Sequence, residues 1–127
     1  MRLRQLDEAA LARLWQRRYL GGGTLVTADG RRYRVLYPGR RGGGGGPDFR
    51  GAVLLGEDGA LVRGDVEVHL RPADWRAHGH GRDPRYARVV LHLVLAPGGE
   101  VQTPLPGGDA APLAALPFAQ AEEQEPE

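Results

Sequence analysis

The chain contains no cysteine and no lysine among its 127 residues. Without cysteine there are no disulfides, no thiolate metal ligands and no thiol nucleophile. Without lysine there is no Schiff-base or lysine-base chemistry, because all 17 basic residues are arginine. No apolar run approaches the roughly 20 residues that a membrane helix needs, and the first residues lack the apolar stretch of a signal peptide. The expectation is therefore a cytoplasmic protein with no membrane partner. The length predicts one domain with a modest core, and there are no internal repeats.

The formal net charge of +1 hides a gradient. Residues 1–50 carry 11 arginines against 4 acids, whereas residues 89–127 carry no arginine and 6 acids. A basic first half can attract phosphate backbones. The alternative is a solvated arginine face with no partner.

The most informative stretch runs from Gly46 to His69. Pro47-Asp48-Phe49 opens a short apolar run, and Gly64-Asp65-Val66-Glu67-Val68-His69 follows after Glu57-Asp58-Gly59. A strand has a period of two, so Asp65, Glu67 and His69 share one face and Val66 and Val68 the other. Asp58-Gly59 is a hairpin turn signal, with Phe49 and Val68 about equally far from it. That register brings Asp48 toward Glu67. The expectation is that Asp48, Asp65, Glu67 and His69 converge at one sheet edge, which is a metal-site arrangement. His78-Gly79-His80 adds two imidazoles whose glycine spacer lets both point the same way, in a structural or a ligand role. His92, alone in an apolar run, reads as a hydrogen-bonded core histidine.

Elsewhere, Leu6–Leu20 reads as a helix. Asp7 is its N-cap, Leu6 and Leu11 a hydrophobic staple, and Leu11, Leu14, Trp15 and Tyr19 its apolar stripe. Glu8, on the first turn, could reach a neighbouring site, but reads first as a capping charge. Residues 24–37 read as a hairpin turning at Asp29-Gly30. Pro38 to Gly46 reads as a flexible loop, since its five consecutive glycines fit neither a nucleotide fingerprint nor a regular element. Residues 71–85 permit only short helical turns, with Asp83-Pro84 capping one. Val89–Leu95 reads as a buried interior strand. From Pro97 onward a loosely attached segment is expected, disordered beyond about Phe118. The boundaries are one domain over residues 1–109 and a loosely ordered acidic tail over residues 110–127.

These residues resemble the family of uncharacterised bacterial proteins called domain of unknown function 2851. The likeness rests on Gly46-Pro47-Asp48-Phe49, Gly64-Asp65-Val66-Glu67-Val68-His69, Asp74-Trp75, His78 with His80, Asp83, Tyr86 and Leu91-His92-Leu93-Val94. Members of that family usually run longer, so the resemblance implies that anything their C-terminal regions contribute is missing or comes from another protein. More broadly, Pro47-Asp48 and Glu67-Val68-His69 are similar to the PD-(D/E)xK nuclease superfamily, with His69 where that superfamily has lysine. This implies an α+β or α/β fold: a mixed sheet with the N-terminal helix on one face and a restriction-endonuclease-like order of helix, three strands, crossover, strand.

The resulting expectation is a metal-dependent phosphodiesterase acting on nucleic acid. Asp48 and Glu67 hold a divalent ion, Mg²⁺ or Mn²⁺ in preference to Zn²⁺ because the ligands are hard oxygens. Asp65 shares a second ion or orients His69, and His69 serves as the base. Arg32, Arg34, Arg40 and Arg41 contact the phosphate backbone. Two alternatives stay open. One is an inactive nuclease-fold module that binds nucleic acid, a protein partner or a second copy. The other is a zinc hydrolase built on His78, His80 and a carboxylate.

Overall fold

The computed structural model describes residues 7–115. Helix α1 (Glu8–Tyr19) begins where the Asp7 carboxylate accepts a hydrogen bond from Ala10 N–H at 2.8 Å. Leu6, the expected staple residue, lies outside the described residues. Leu11, Ala12, Trp15 and Tyr19 recur at helical spacing and are buried, while Leu14 is half-buried. Trp15 also donates its indole N–H to Pro38 O at 2.9 Å, so its burial leaves no polar atom unpaired. The helix ends at Gly21-Gly22, where Gly22 takes a φ of +89° that a side chain would resist.

Both expected hairpins form. Strands β1 (Gly23–Val26) and β2 (Arg32–Tyr37) pair antiparallel around Asp29-Gly30, and β4 (Phe49–Gly56) and β5 (Leu61–Val68) pair around Asp58-Gly59. A two-residue bridge, β3 (Arg40–Arg41), lies against the start of β4. The crossover from β5 holds the short helix α2 (Asp74–Ala77) and two 3₁₀ turns, the second capped by Asp83 with Pro84 at its start. It leads to β6 (Val89–Val94), which runs parallel to β5. The sheet is mixed, α1 covers one face, and β6 is an interior strand as its apolar run predicts.

Two expectations need correction. Four full strands, not three, precede the crossover, because β1 adds to β2, β4 and β5. The segment from Pro97 is not loosely attached within the described residues. β7 (Gln102–Pro104) and β8 (Ala110–Ala115) extend the sheet in the order β1-β2-β4-β5-β6-β8-β7, with β8 parallel to β6. Residues 110–115 therefore belong to the domain and not to a tail. Alanine and proline are weak strand formers, so nothing local marks this segment as a strand. The open side of β6 supplies its backbone partners, and Pro112 stands just before that ladder begins at Leu113. The expected disorder beyond Phe118 lies outside the described residues.

The sheet curls. The turn of the first hairpin donates Ala28 N–H to Leu113 O on β8 at 2.7 Å, joining strands that lie far apart in the order. The α1 face is filled by Val35, Phe49, Leu54, Val66, Val68, Leu91 and Leu93. A smaller cluster, Trp75, Tyr86, Val89 and Ala111, packs under the crossover on the opposite face. The functional candidates lie on that second face.

Candidate functional site

The β4–β5 register sets the site. Phe49 pairs with Val66, so Asp48 comes level with Glu67 and Val68. Its backbone N–H donates to Glu67 Oε1 at 3.2 Å, and its Oδ2 accepts from Val68 N–H at 2.8 Å. On the other side of β5, Glu67 pairs with His92 of β6, which puts both side chains on the second face. His69, two residues past Glu67, follows on the same face. The cluster thus forms at the ends of the interior strands β5 and β6 and not along an exposed edge strand.

The crossover supplies the remaining groups. Gly79 adopts a φ of +71°, turning the chain so that His80 points back at β5 while His78 stays exposed. Tyr86 stacks on His80 with centroids 3.8 Å apart. Trp75 packs edge-on to His80 and anchors the crossover by donating its indole N–H to Pro104 O at 2.8 Å.

Glu67 Oε2 is the hub. It lies 3.2 Å from His69 Nε2 and 3.1 Å from His80 Nε2. His69 Nδ1 lies 2.8 Å from His92 Nε2, and His92 Nδ1 lies 3.0 Å from the Thr103 hydroxyl on β7. His69, His78 and His80 each offer one ligand atom, all within 4.8 Å of one another, so these three can hold a metal ion. His80 Nδ1 is buried without a partner among the described residues, which leaves that ring one uncommitted nitrogen.

Burial dominates the electrostatics. It pushes the Glu67 carboxyl up to about 10, with the Asp48 charge adding to the effect. Burial also lowers His69 to about 4, aided by His80, and His92 to about 3, aided by His69. His80 is lowered by burial and by His78. Near neutral pH the Glu67–imidazole contacts therefore join a carboxylic acid to neutral rings and are not ion pairs. His69 has lost the ordinary imidazole basicity that its expected role as base assumed. It is a neutral donor of a lone pair.

Of the residues singled out in the sequence, Asp48, Glu67, His69, His78 and His80 come together. Asp65 does not. It accepts from Gly51 N–H at 3.3 Å and pairs with Arg50 at 3.8 Å, because sharing a strand face with Glu67 still leaves it about 6.6 Å back along the strand. Arg32 and Arg34 lie on β2, two strands away from β5, and the Arg41 guanidinium sits over the Phe49 ring at 5.1 Å. Arg40 pairs with Arg50 across β3 and β4. The glycine-rich loop does lie beside the site: a side chain on Gly45 or Gly46 would meet the guanidinium of Arg85 or Arg50.

One residue was ranked too low and one went unrecognised. Glu8, read first as a capping charge, is more than that. Its carboxyl is raised by burial and by the charges of Asp48 and Asp74, which places it at the rim of the cluster. Thr103 closes the histidine chain from a segment with no local signal at all.

Residues 8–107 match the model of the family described as protein of unknown function, DUF2851. The chain belongs to this family. No curated protein and no solved structure matches it. The DUF2851 match spans every element that builds the cluster, from Glu8 to Thr103, and stops short of β8. No helix of the described residues is long and apolar enough to cross a membrane.

Proposed function

We propose that this chain is a divalent-metal-dependent hydrolase of phosphodiester bonds in nucleic acid. The observation that carries the reading is the convergence of His69, His78 and His80 ligand atoms within 4.8 Å, with the Glu67 carboxyl touching two of the rings. Neutral imidazoles are the donors zinc takes most readily, whereas Mg²⁺ prefers oxygen, so the donor set favours Zn²⁺ over the Mg²⁺ or Mn²⁺ expected from Asp48 and Glu67 alone. Metal–nitrogen bonds of 2.0–2.1 Å need ligand atoms about 3.3 Å apart in a tetrahedron. Exposed His78, next to Gly79, is the ligand with freedom to close that gap.

A bound cation would activate water and neutralise charge on the phosphate. The rest falls to side chains. Ligation through His69 Nε2 would leave its Nδ1–H to donate to His92, whose own Nδ1–H would then donate to Thr103, so these two residues would fix the tautomer. Glu67 Oε2 is placed to exchange protons with water or the leaving oxygen, while Oε1 is held by the Asp48 N–H. Arg50, beside the glycine loop, offers a charge to the phosphate. The antiparallel β2–β4–β5 meander, the crossover and parallel β6, with Asp48 and Glu67 on adjacent strands, support reading the core as restriction-endonuclease-like.

The test combines calorimetric titration with Zn²⁺ and Mn²⁺ and hydrolysis of bis(p-nitrophenyl) phosphate and a labelled oligonucleotide. One equivalent of metal and turnover that vanishes in His80→Ala support the reading. No binding of either ion ends it. Oligonucleotide binding without turnover in any metal would leave a non-enzymatic module in its place.

A further inference from the structure

Beside the histidine cluster, on the same sheet face, lies a concavity of about 370 Å³. Asp65 forms its buried floor, and Arg40, Arg50, Arg63 and Arg88 line it. The four arginines come from β3, β4, β5 and the turn before β6, so this is no single charged run of sequence. Arg40 and Arg50 stand directly opposite each other across two strands, a like-charge pair that works against the sheet. Only Arg50 reaches Asp65, at 3.8 Å; Arg40, Arg63 and Arg88 have no carboxylate within salt-bridge distance among the described residues. Four guanidiniums face one carboxylate. Folding gains nothing from that excess, and an anion between the arginines relieves it.

Position says which anion. Asp65 and Glu67 are two residues apart on one strand face, about 6.6 Å along it, so a ligand in the arginine concavity lies immediately next to the hydrolytic cluster. A register shift in β2 turns Tyr37 onto this face, opposite Val53, which in turn stands opposite Arg63. Tyr37 is 44% exposed, an aromatic ring left in solvent two strand spacings, about 10 Å, from Arg63. Arginines that track phosphates next to an open aromatic ring are the pairing that holds unstacked bases.

We infer that the Arg40–Arg50–Arg63–Arg88 concavity and Tyr37 bind single-stranded nucleic acid, taking backbone phosphates on the arginines and a base on the ring. This rests on the hydrolase reading only for the fate of the strand, not for its binding. Fluorescence anisotropy of the full chain in EDTA, where nothing is cut, tests it with labelled single-stranded DNA, single-stranded RNA and duplex DNA. Arg63→Ala/Arg88→Ala should weaken single-strand binding at least tenfold and reduce the slope of log K against log salt by about 1.4, or 0.7 per phosphate. Tyr37→Ala should weaken it about fivefold or more and leave that slope unchanged. A preference for either sugar supports the inference and names the strand. Wild-type affinity in the double arginine variant, or duplex binding tighter than single-strand binding, overturns it. Hydrolysis of bis(p-nitrophenyl) phosphate by the wild-type protein reads the histidine cluster separately. Its absence beside intact oligonucleotide binding would sink the hydrolase reading alone, whereas a wild-type protein that hydrolyses the small substrate and binds no oligonucleotide would sink this one alone.

Discussion

The two faces of the sheet are filled by opposite rules. Under α1 the interior is Trp15, Tyr19, Phe49, Leu54 and Leu93, whose few polar atoms are paired locally. Under the crossover, side chains just as inaccessible include Glu67, His69 and His92. Burying apolar surface stabilises a fold, while burying ionisable groups works against it unless every polar atom finds a partner. The second face nearly meets that demand: Glu67 is bonded to Asp48 and His80, His69 is bonded through His92 to Thr103, a 3.2 Å contact joins Glu67 to His69, and His80 Nδ1 is left without a partner among the described residues. The lesson is a division of labour. The α1 face supplies stability, and the opposite face draws on it to hold buried ionisable groups.

Glu67→Gln should separate the two most sharply. It keeps the shape of the side chain, removes the exchangeable acid, and is expected to cut turnover by about 10²–10⁴. Circular dichroism should show the fold retained, and a comparable loss of structure would mean that the second face is core after all. Trp15→Ala is the mirror experiment. It should cost about 3–5 kcal/mol in urea unfolding, with metal stoichiometry unchanged wherever the variant still folds.

His92→Phe sharpens the boundary between the faces. It keeps the bulk and removes the acceptor for His69 Nδ1, so zinc affinity by calorimetry should fall about 10–100-fold, beyond the roughly 1–3 kcal/mol of stability that a buried polar group left unpaired costs. An unchanged affinity would reduce His92 to packing. The mildest effect expected is that of pH on the metal-free protein. His69 and His92 titrate below their unfolded value of about 6.5, so the unfolded chain binds more protons as pH falls below 6.5 and stability drops. Glu67 titrates above its unfolded value, so the folded chain holds the extra proton and stability declines as pH rises toward about 10. Below pH 6.5 these imidazoles, with His80 lowered as well, outweigh the carboxyl, and above it the carboxyl increasingly dominates. Urea midpoints in EDTA should therefore peak near pH 6.5. A monotonic rise from pH 5 to 9 would show that Glu67 is ionised in the fold.

What the sequence made legible was local. Asp29-Gly30 and Asp58-Gly59 announce their hairpins, Asp7 its helix, and the alternation from Asp65 to His69 its face. Asp48 could be placed because the turn fixes a register. Asp65 was misplaced because a period of two gives the face and not the position along it, and the irregular pairing near Gly51 gave it Arg50 instead. Glu8 and Thr103 join the cluster only through the docking of a helix and the curl of the sheet, which no nearby residue encodes. Arg50, Arg63 and Arg88 look like scattered surface charges until three separate elements bring them to one hollow. β8 was invisible because its identity as a strand comes from its neighbour.

That last strand also governs the order of assembly. β8 lies between β6 and β7, and its Leu113 carbonyl receives the turn of the first hairpin, so the earliest and latest parts of the described chain close on each other. Contacts so distant in sequence slow folding, because the intervening loop must be ordered before they form. Until residue 113 arrives, β6 offers an unpaired ladder of valine and leucine, a template on which another nascent chain can dock. A version cut at residue 107, where the family match ends, would hold every residue of the histidine cluster and still lack the strand that shields it from aggregation.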